Sequence, residues 1–422
     1  MKMIEFYKLF NDSSVEHSHR KENLESNTND LNYSYFRRIT YLEVKDALRK
    51  MKCGKAIGPY GLPIEVWKCI GEVGIKWLTK FFNIILKTKK IPDEWRKSSL
   101  VPIFKNKGDI QNCTNYRGIK LMSHTMKLWE RIIEQRLRHV TTIRENQFGF
   151  MPGRSTMEAI HLLRQVIVHF RVSRKDVHMV FIDLEKAYDK VPRNLVWWVL
   201  ERKGVPIGYI NIIKDMYDRV VTSVRTIGGE TKEFPIDIGL HQGSSLSPYL
   251  FILIMDELTK EIQGDVPWCM LFADDIVLID ETKEGINAKL EQWRDTLESK
   301  GFKLSRSKIE YMECRFSKNR NNNEGIHLDG KEICNSKTFK YLGSIISNNG
   351  EIMDDVINRI KVGWMKWRNA SGVLCDRKLL AKLKEKFYRI AIRLALLYGL
   401  ECWTVKHDHT QKIHVAEMRM LR

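Results

Sequence analysis

The sequence lacks the features that mark secreted and membrane-spanning proteins. Its first twenty residues, MKMIEFYKLFNDSSVEHSHR, contain no apolar core of the kind that a signal peptide needs. The longest apolar runs, such as YLFILIM at 249–255, fall short of the roughly 20 residues that cross a bilayer. We therefore expect an intracellular protein, in the nucleus or the cytoplasm, without a membrane partner.

Paired cysteines are absent as well. The eight cysteines form no Cys-x-x-Cys pair, so the sequence predicts reduced thiols and no redox motif. One cysteine and three histidines gather in CWTVKHDHTQKIH at 402–414, but their spacing fits no standard zinc site. We interpret these histidines as ordinary surface residues.

Acidic residues are outnumbered by basic ones. Lys and Arg total 71 against 52 Asp and Glu, which gives a formal net charge of +19 at pH 7. Such an excess favours a polyanionic partner, of which nucleic acid is the commonest, and the alternative is charge that serves solubility alone. With 422 residues, 43% of them hydrophobic, the chain can form roughly two to three lobes with a buried core.

Two pairs of residues have the spacing of capping boxes at helix starts. Thr40 with Glu43, and Ser155 with Glu158, combine an N-cap hydroxyl with a glutamate three residues later. Each pair precedes a stretch with apolar residues at helical spacing. We expect one helix to begin after Thr40 and another after Ser155.

Other local signals predict a hairpin, a helix start and a strand–helix unit. The stretch around Gly228-Gly229 predicts a hairpin that turns at the two glycines. Ser247 followed by Pro248 predicts a helix with serine as N-cap and proline at the first helical position. HMVFIDLEKAYDKV at 178–191 predicts a buried strand that runs into a helix.

Two adjacent aspartates, Asp274 and Asp275, lie within the apolar stretch MLFADDIVLID at 270–280. Aromatic and β-branched residues without a helical period favour a strand there. Asp183 at the end of HMVFID, and Asp189 six residues later, bring further carboxylates beside a strand. A divalent cation holds such close carboxylates ionised, so the pattern indicates a metal site. The alternative is that the Asp-Asp pair only forms a hairpin turn.

Seven segments stand in a characteristic order along the chain. The last five are VFIDLEKAYDKV, GLHQGSSLSPYLF, LFADDIVLI, GFKLSRSKIEYM and FKYLGSIIS, and the two before them are VPIFKNKGDIQNCTNYRGIKLMS and ENQFGFMPGRSTMEAI. The five resemble the palm motifs of reverse transcriptases, and the two resemble the fingers motifs. A lone Ala-Asp-Asp is a weak signal, but seven motifs in order are a strong one. From about residue 40 to 422, the chain resembles the reverse transcriptase of LINE-type, non-long-terminal-repeat retrotransposons, close to the RTE-type elements.

The resemblance implies a metal centre and a general acid. Asp183 and Asp274 match the metal-binding aspartates, and Asp275 matches their less direct partner. The backbone carbonyl of Leu184 completes one metal shell. Two Mg²⁺ ions are the implied cofactors, with Mn²⁺ as the alternative ion. Lys308 matches the lysine that protonates the leaving pyrophosphate.

The resemblance also implies nucleotide-binding residues. Tyr188 matches the aromatic gate beneath the sugar, whose ring would clash with a ribose 2′-OH and so select deoxynucleotides. Gln242 and Gly243 match the loop that touches the template and the incoming base. Lys105 and Arg117 match the fingers cations on the triphosphate. The residues alone leave open a core role for the tyrosine and a solvated basic loop for the two cations.

The implied fold is α+β, a right-hand polymerase with fingers, palm and thumb. We expect a polar lead-in at 1–38, fingers at 39–175, and a palm with an antiparallel sheet and the reverse transcriptase motifs at 176–350. A partial, helical and basic thumb follows at 351–422, and we expect its aromatic rings to pack the helices together.

The implied function is RNA-directed DNA synthesis, with an RNA template, a DNA primer and deoxynucleoside triphosphates as partners; the oligomeric state is open. Tyr60 stands where the family usually has an acid, and Ile309 where it has threonine, but neither position is a metal ligand. Because related elements carry an upstream endonuclease and the chain stops at AEMRMLR, we expect a piece of a larger polyprotein or a decayed copy. The rival functions are a decayed fragment that only binds nucleic acid and an RNA-copying RNA polymerase, which Tyr188 disfavours.

Overall fold

The computed structural model describes residues 37–106, 108–317, 325–404 and 406–421, so the predicted lead-in lies outside the described residues except at its end. The helices are α1 Tyr41–Lys50, α2 Ile64–Thr88, α3 His124–Val140, α4 Thr156–Ser173, α5 Arg193–Arg202, α6 Ile207–Tyr217, α7 Ser247–Leu258, α8 Lys283–Glu298, α9 Met353–Asn369, α10 Ser371–Leu374, α11 Ala381–Tyr388, α12 Leu394–Leu396 and α13 His407–Leu421. The strands are β1 Lys97–Phe104, β2 Tyr116–Leu121, β3 Val177–Ile182, β4 Val221–Thr226, β5 Gly229–Glu230, β6 Phe234–Pro235, β7 Cys269–Phe272, β8 Asp275–Asp280, β9 Glu310–Cys314, β10 Ile326–Leu328, β11 Lys331–Ile333, β12 Thr338–Tyr341 and β13 Ser344–Ser347.

The first of two compact units is built from the described residues within Met1–Arg144, Glu185–Lys260 and Thr296–Lys303. Its sheet has the order β2-β1-β4-β5, and β6 also pairs with β4. β1 and β2 form an antiparallel hairpin, while β1 and β4 run parallel. The apolar stripe of α3 is fully buried in this unit, as its helical spacing predicts.

The second unit is built from the described residues within Glu145–Leu184, Glu261–Asp295 and Leu304–Arg422. Its main sheet has the order β7-β8-β3-β9, and every neighbouring pair in it is antiparallel. All six residues of β3 are buried, which explains its near-continuous apolar sequence. Side chains of α4 pack against this sheet and form one core with it. The antiparallel palm sheet that we predicted is therefore present.

The C-terminal helices of the second unit are held together by aromatic rings. Tyr388 is buried in a cluster with Ala370, Ile392 and Met420 of α13, and Trp364 and Trp367 of α9 pack against this cluster. Trp367 Nε1 also donates a hydrogen bond of 2.9 Å to the Met420 carbonyl. The predicted role of the rings as packing between basic helices is confirmed.

One capping box is complete and the other is half formed. Thr40 Oγ1 accepts from the Glu43 backbone, and the Glu43 carboxylate accepts from the Thr40 backbone at 2.7 Å. Ser155 Oγ likewise accepts from the Glu158 backbone at 3.2 Å. The Glu158 carboxylate instead pairs with Arg154 one turn away, because a guanidinium attracts it more strongly than a backbone N–H.

The start of α7 differs from the prediction. Ser247 is already helical and Leu246 is the N-cap. The capping oxygen belongs to Ser244, whose Oγ accepts hydrogen bonds from the backbone of Leu246 at 3.0 Å and of Ser247 at 3.1 Å. The N-cap therefore lies one residue before the predicted Ser247, and the hydroxyl that accepts from these backbone N–H groups lies three residues before it.

Two further predictions need correction. Thr226 pairs with Gly229, so the β4–β5 hairpin turns at Ile227-Gly228, one residue earlier than expected. The chain after β3 passes through successive turns and becomes helical only at Arg193. Those turns carry Tyr188, as the next section describes.

Candidate active site

The palm sheet sets two of the predicted carboxylates at one edge. The last pair of the β3–β8 ladder joins Ile182 to Ile276. Asp183 follows β3 by one residue, and Asp275 precedes Ile276 by one residue. Because the strands are antiparallel, the two aspartates occupy opposing positions at the end of the ladder.

Asp274 lies in the turn that joins β7 to β8. Phe272 pairs with Asp275, which leaves Ala273 and Asp274 as a two-residue turn, with Ala273 at a positive φ of 59°. The single strand that the apolar stretch predicted is therefore a hairpin. The hairpin-turn and metal-site interpretations of the Asp-Asp pair are compatible, because the same hairpin places both aspartates at the sheet edge.

A buried side chain from another segment holds this turn. Gln147 is 3% exposed, and its Oε1 accepts hydrogen bonds from the backbone of Gly149 at 2.8 Å and of Ala273 at 3.0 Å. A Cβ atom on Gly149 would lie 2.5 Å from the Ala273 nitrogen, so glycine is needed for this close approach. Both residues lie in ENQFGF, whose resemblance to a fingers motif implies this role for neither of them.

The carboxylates influence one another electrostatically. Partial burial raises the pKa of Asp275 to about 6, although its side chain still reaches solvent. The negative charges of Asp274 and Asp183 raise this pKa further, and the positive charge of Lys308 lowers it. Lys308 Nζ lies 2.6 Å from Asp183 Oδ2. The structure therefore brings together all four residues that the resemblance assigned to catalysis.

The donor chemistry at this edge suits a hard divalent cation. Carboxylate oxygens are the ligands that Mg²⁺ and Mn²⁺ prefer, and a cation would relieve the mutual repulsion that raises the Asp275 pKa. Leu184 is buried and pairs with Leu304 in an isolated bridge. Within the described ranges, no group of three or more His, Cys, Asp or Glu side chains is already arranged as a metal cluster.

Tyr188 lies in the first unit, in the turns after β3. Its ring stacks on Phe251 of α7, with centroids 4.6 Å apart and planes inclined by 17°. Phe251 in turn meets Phe302 edge to face at 6.4 Å. An aromatic platform therefore supports the predicted sugar gate, and the tyrosine is only partly buried.

Gln242 and Gly243 lie in the loop before α7, also in the first unit. Gln242 Nε2 donates a hydrogen bond of 2.9 Å to Asp189 Oδ1. Gly243 has a φ of 107°, and a Cβ atom on it would lie 2.8 Å from the Lys120 carbonyl oxygen. Glycine is required at this position for both reasons.

The predicted fingers cations lie on the β1–β2 hairpin of the same unit. Arg117 is exposed and pairs across the hairpin with Ile103. The Lys105 backbone donates to the Asn115 carbonyl at 2.8 Å. The positive charge of Lys105 lowers the pKa of Asp189, so this lysine lies near the carboxylate that holds Gln242.

Three charged groups of this unit have shifted pKa values that no sequence pattern indicates. Burial raises the pKa of Asp189 to about 6, and burial together with Arg193 lowers the pKa of Lys120 to about 7. Burial also raises the pKa of Glu130 to about 7, although Glu130 accepts hydrogen bonds from Ser244 Oγ at 2.7 Å and from the Ser245 backbone at 2.8 Å. No periodic signal distinguishes these residues in the sequence, because each acts through a partner distant in the chain.

Comparison with known families identifies the class of this protein. The sequence profile of "Reverse transcriptase (RNA-dependent DNA polymerase)" matches residues 103–346, which is more than half of the chain and includes all the candidate site residues. The chain belongs to this reverse transcriptase family. Its α+β, right-hand polymerase fold class follows, and reverse transcriptases use divalent metal ions.

Curated relatives narrow the class to LINE-type retrotransposons. The chain is 24% identical to the RNA-directed DNA polymerase from mobile element jockey of Drosophila melanogaster, over 91% of this chain and 43% of that protein. It is 28% identical to the probable RNA-directed DNA polymerase from transposon BS of the same species, over 56% and 27%. It is 26% identical to the Pol polyprotein from the R2 element of Nasonia vitripennis, over 61% and 26%. The chain thus spans less than half the length of these relatives. The LINE-type resemblance is confirmed, and the RTE-like subgroup stays a prediction.

Solved structures with a similar arrangement include telomerases. Apo telomerase from Candida tropicalis matches with a TM-score of 0.44 and 11% identity, over 85% of this chain and 67% of that one. None of the described helices is both long and apolar enough to cross a membrane.

Proposed function

We propose that this chain is the polymerase segment of a LINE-type retrotransposon protein and copies RNA into DNA. The observation that carries the proposal is the register that sets Asp183 opposite Asp275 at the palm edge, with Asp274 in the adjoining turn. Its substrates are deoxynucleoside triphosphates, and its partners are an RNA template and a DNA primer. The net charge of +19 supports a nucleic-acid partner.

The reaction joins the primer 3′-oxygen to the α-phosphorus of the incoming nucleotide. The bond between that phosphorus and the bridging oxygen breaks, pyrophosphate leaves, and the 3′-hydroxyl loses its proton. Asp183, Asp274 and Asp275 would hold two Mg²⁺ ions, which supply Lewis-acid stabilisation of the phosphoryl charge. Mn²⁺ is the alternative ion.

Lys308 is the proposed proton donor to pyrophosphate. Its ammonium lies 2.6 Å from the Asp183 carboxylate, which holds the side chain beside the reacting centre. An ammonium is a donor only, so it can give a proton to the leaving oxygen and regain one from water. Lys105 and Arg117 are proposed to bind the triphosphate on the fingers side.

Primer extension on an RNA template tests the proposal. The parent chain, with Mg²⁺ and a DNA primer, should add deoxynucleotides and reject ribonucleotides. Extension with ribonucleotides would favour the RNA polymerase alternative. Binding of the primer–template without any extension, by a folded chain, would favour a decayed fragment that only binds nucleic acid. The intact Asp183, Asp274 and Asp275 argue against the decayed alternative.

A further inference from the structure

Asp189 lies next to the sugar gate, and the structure gives it a definite partner. Its Oδ1 accepts a hydrogen bond of 2.9 Å from Gln242 Nε2. The sequence indicated Asp189 only as one of the carboxylates beside a strand, six residues after Asp183. Its hydrogen-bond partner is an amide of the template- and base-contacting loop, which belongs with it to the first unit.

The backbone around this pair leaves little freedom. Leu240 N donates to the Tyr188 carbonyl at 2.7 Å, and Gly239 N donates to the Val191 carbonyl at 2.9 Å. A Cβ atom on Gly239 would lie 2.5 Å from the Asp189 carbonyl oxygen, so the two segments are in direct contact. The turn that carries the sugar gate and the loop that carries Gln242 are therefore fastened together at the backbone.

The chemistry of the pair fixes the orientation of the Gln242 amide. An ionised carboxylate can only accept hydrogen bonds, so the NH₂ group must face Asp189 and Oε1 must face away. Burial raises the pKa of Asp189 to about 6, and the positive charges of Lys120, Lys186 and Lys105 lower it, so the carboxylate is ionised at pH 7. A neutral partner such as serine would allow either face of the amide. The carboxylate thus selects one of two amide orientations.

We propose that Asp189 is a positioning residue that orients Gln242 so that its Oε1 faces the incoming nucleotide. The proposal rests on the proposed polymerase function and adds how nucleotide affinity is set. Asp189 does not touch the reacting atoms in this scheme. Its loss should therefore weaken nucleotide binding and leave the chemical step nearly unchanged.

Single substitutions at Asp189 give the first test. Asp189→Ala removes the acceptor, and a hydrogen bond to a charged group is worth about tenfold in affinity. We expect KM for the deoxynucleotide to rise about tenfold with kcat within about twofold. Asp189→Asn keeps an acceptor oxygen but adds an amide donor, so it allows both orientations of Gln242, and KM should rise by only about two- to threefold. Asp46→Ala, at an exposed aspartate of α1 in the same unit, is the matched control and should keep the parent KM.

Exchanging the two groups gives a second test that a purely structural role would not pass. Gln242→Glu places a second carboxylate against Asp189 and should raise KM more than Gln242→Ala does. Adding Asp189→Asn to Gln242→Glu restores the hydrogen bond with donor and acceptor exchanged, because the amide nitrogen of the introduced asparagine can then donate to the introduced glutamate. Since a glutamate also presents an oxygen to the nucleotide, we expect the double variant to recover most of the parent KM.

The outcomes separate this inference from the proposed function. A folded parent chain that never extends a primer would overturn both. A parent that extends normally, with Asp189→Ala at the parent KM, would overturn the positioning role alone. Equal losses in Asp189→Asn and Asp189→Ala would also overturn it, as would a fall in thermal midpoint that accounts for the activity loss in both. If Asp189→Ala fails to fold, the exchanged pair decides: no recovery relative to Gln242→Glu alone overturns the inference.

Discussion

Gly149 lies against the backbone of Ala273, so closely that a Cβ atom on Gly149 would stand 2.5 Å from the Ala273 nitrogen. Ala273 begins the turn that carries Asp274, and Gln147 holds the same nitrogen by a hydrogen bond of 3.0 Å. A segment that precedes the palm strands in sequence therefore decides where the carboxylate of Asp274, a proposed metal ligand, stands.

Replacing this glycine should displace the carboxylate. Gly149→Ala forces the turn to move, and a misplacement of about 1 Å costs on the order of a hundredfold in rate. Overpacking should also lower the free energy of unfolding by about 1–3 kcal/mol. Single-turnover nucleotide addition and thermal unfolding measure the two effects. Gly372→Ala, where a Cβ atom meets nothing within 4 Å, is the matched control, and a parent-like rate in Gly149→Ala would contradict the prediction.

Neutralising the carboxylate of Asp183 or of Asp274 should nearly abolish primer extension. Asp183→Asn and Asp274→Asn keep the side-chain shape and remove one charge from the proposed metal site. Loss of such electrostatic stabilisation is worth about 3 kcal/mol or more, a hundredfold or greater fall in rate. RNA binding should persist, because the basic surface is unchanged. Asp265→Asn, at an exposed aspartate of the same unit, should extend like the parent. Near-parent extension by either site variant would show that the carboxylates are wrongly assigned.

How much the sequence predicts depends on how far apart the interacting residues are. The capping box of Thr40 and Glu43 was predicted correctly because both partners lie within one helical turn. Asp183 and Asp274 stood out as carboxylates beside apolar strands, and Lys308 came from the family resemblance alone. The sheet register explains why the two aspartates meet. Gln147 remained hidden, since its partner Ala273 is 126 residues away and no local pattern encodes such a bond.

The same reasoning explains the local errors. Ser247 and Pro248 have the residue types of a helix start, but the hydroxyl that caps the helix belongs to Ser244, which Glu130 holds from a distant helix. A tertiary contact thus holds the capping hydroxyl three residues before the predicted serine, and the N-cap lies one residue before it. The helix was predicted correctly, whereas its N-cap residue was not.

The ring of Tyr188 should control the choice of sugar. It stacks on Phe251 at 4.6 Å, which fixes the plane that a ribose 2′-OH would meet. Tyr188→Val should raise ribonucleotide incorporation and leave deoxynucleotide use within about tenfold, because one steric contact is removed. Tyr188→Phe keeps the ring and should keep the parent discrimination. Competition between labelled nucleotides measures the ratio, and unchanged discrimination in Tyr188→Val would remove the residue from this role.

Glu130 should make stability fall as pH rises. Burial raises its folded-state pKa to about 7 from 4.5, so between about pH 4.5 and 7 the folded protein retains a proton that the unfolded chain has lost. Stability from this group is therefore present at low pH and lost as pH rises through 7. Glu130→Gln keeps an acceptor oxygen and does not titrate. The difference in the free energy of unfolding between Glu130→Gln and the parent should therefore shift in favour of Glu130→Gln by up to about 3 kcal/mol from pH 5 to pH 8.

Urea unfolding at the two pH values tests this prediction. Glu72→Gln, at an exposed glutamate of α2, is the control and should show a pH-independent difference from the parent. A Glu130→Gln difference that also stays constant would mean that Glu130 has the same protonation in the folded and unfolded chains.

The basic C-terminal helices should bind the primer–template through its phosphates. Trp364, Trp367 and Tyr388 are engaged in packing these helices together, which leaves exposed lysines of α9 and α11 for the duplex backbone. Phosphate contacts release counterions, so affinity should fall steeply with salt, with a log–log slope of roughly −0.9 per contact on B-DNA. An RNA–DNA hybrid has another geometry, and we predict the sign and steepness for it.

Three substitutions isolate this contribution. Lys361, Lys366 and Lys382 are exposed on α9 and α11, and changing all three to Gln should flatten the slope by about 2 to 3 in total. The same change at the exposed Lys76, Lys80 and Lys87 of α2 removes equal charge and should keep a slope closer to that of the parent. Fluorescence anisotropy across a salt series measures both slopes. A parent affinity that is flat between low and moderate salt would contradict phosphate binding, and equal flattening in the two triple variants would place the contacts outside these helices.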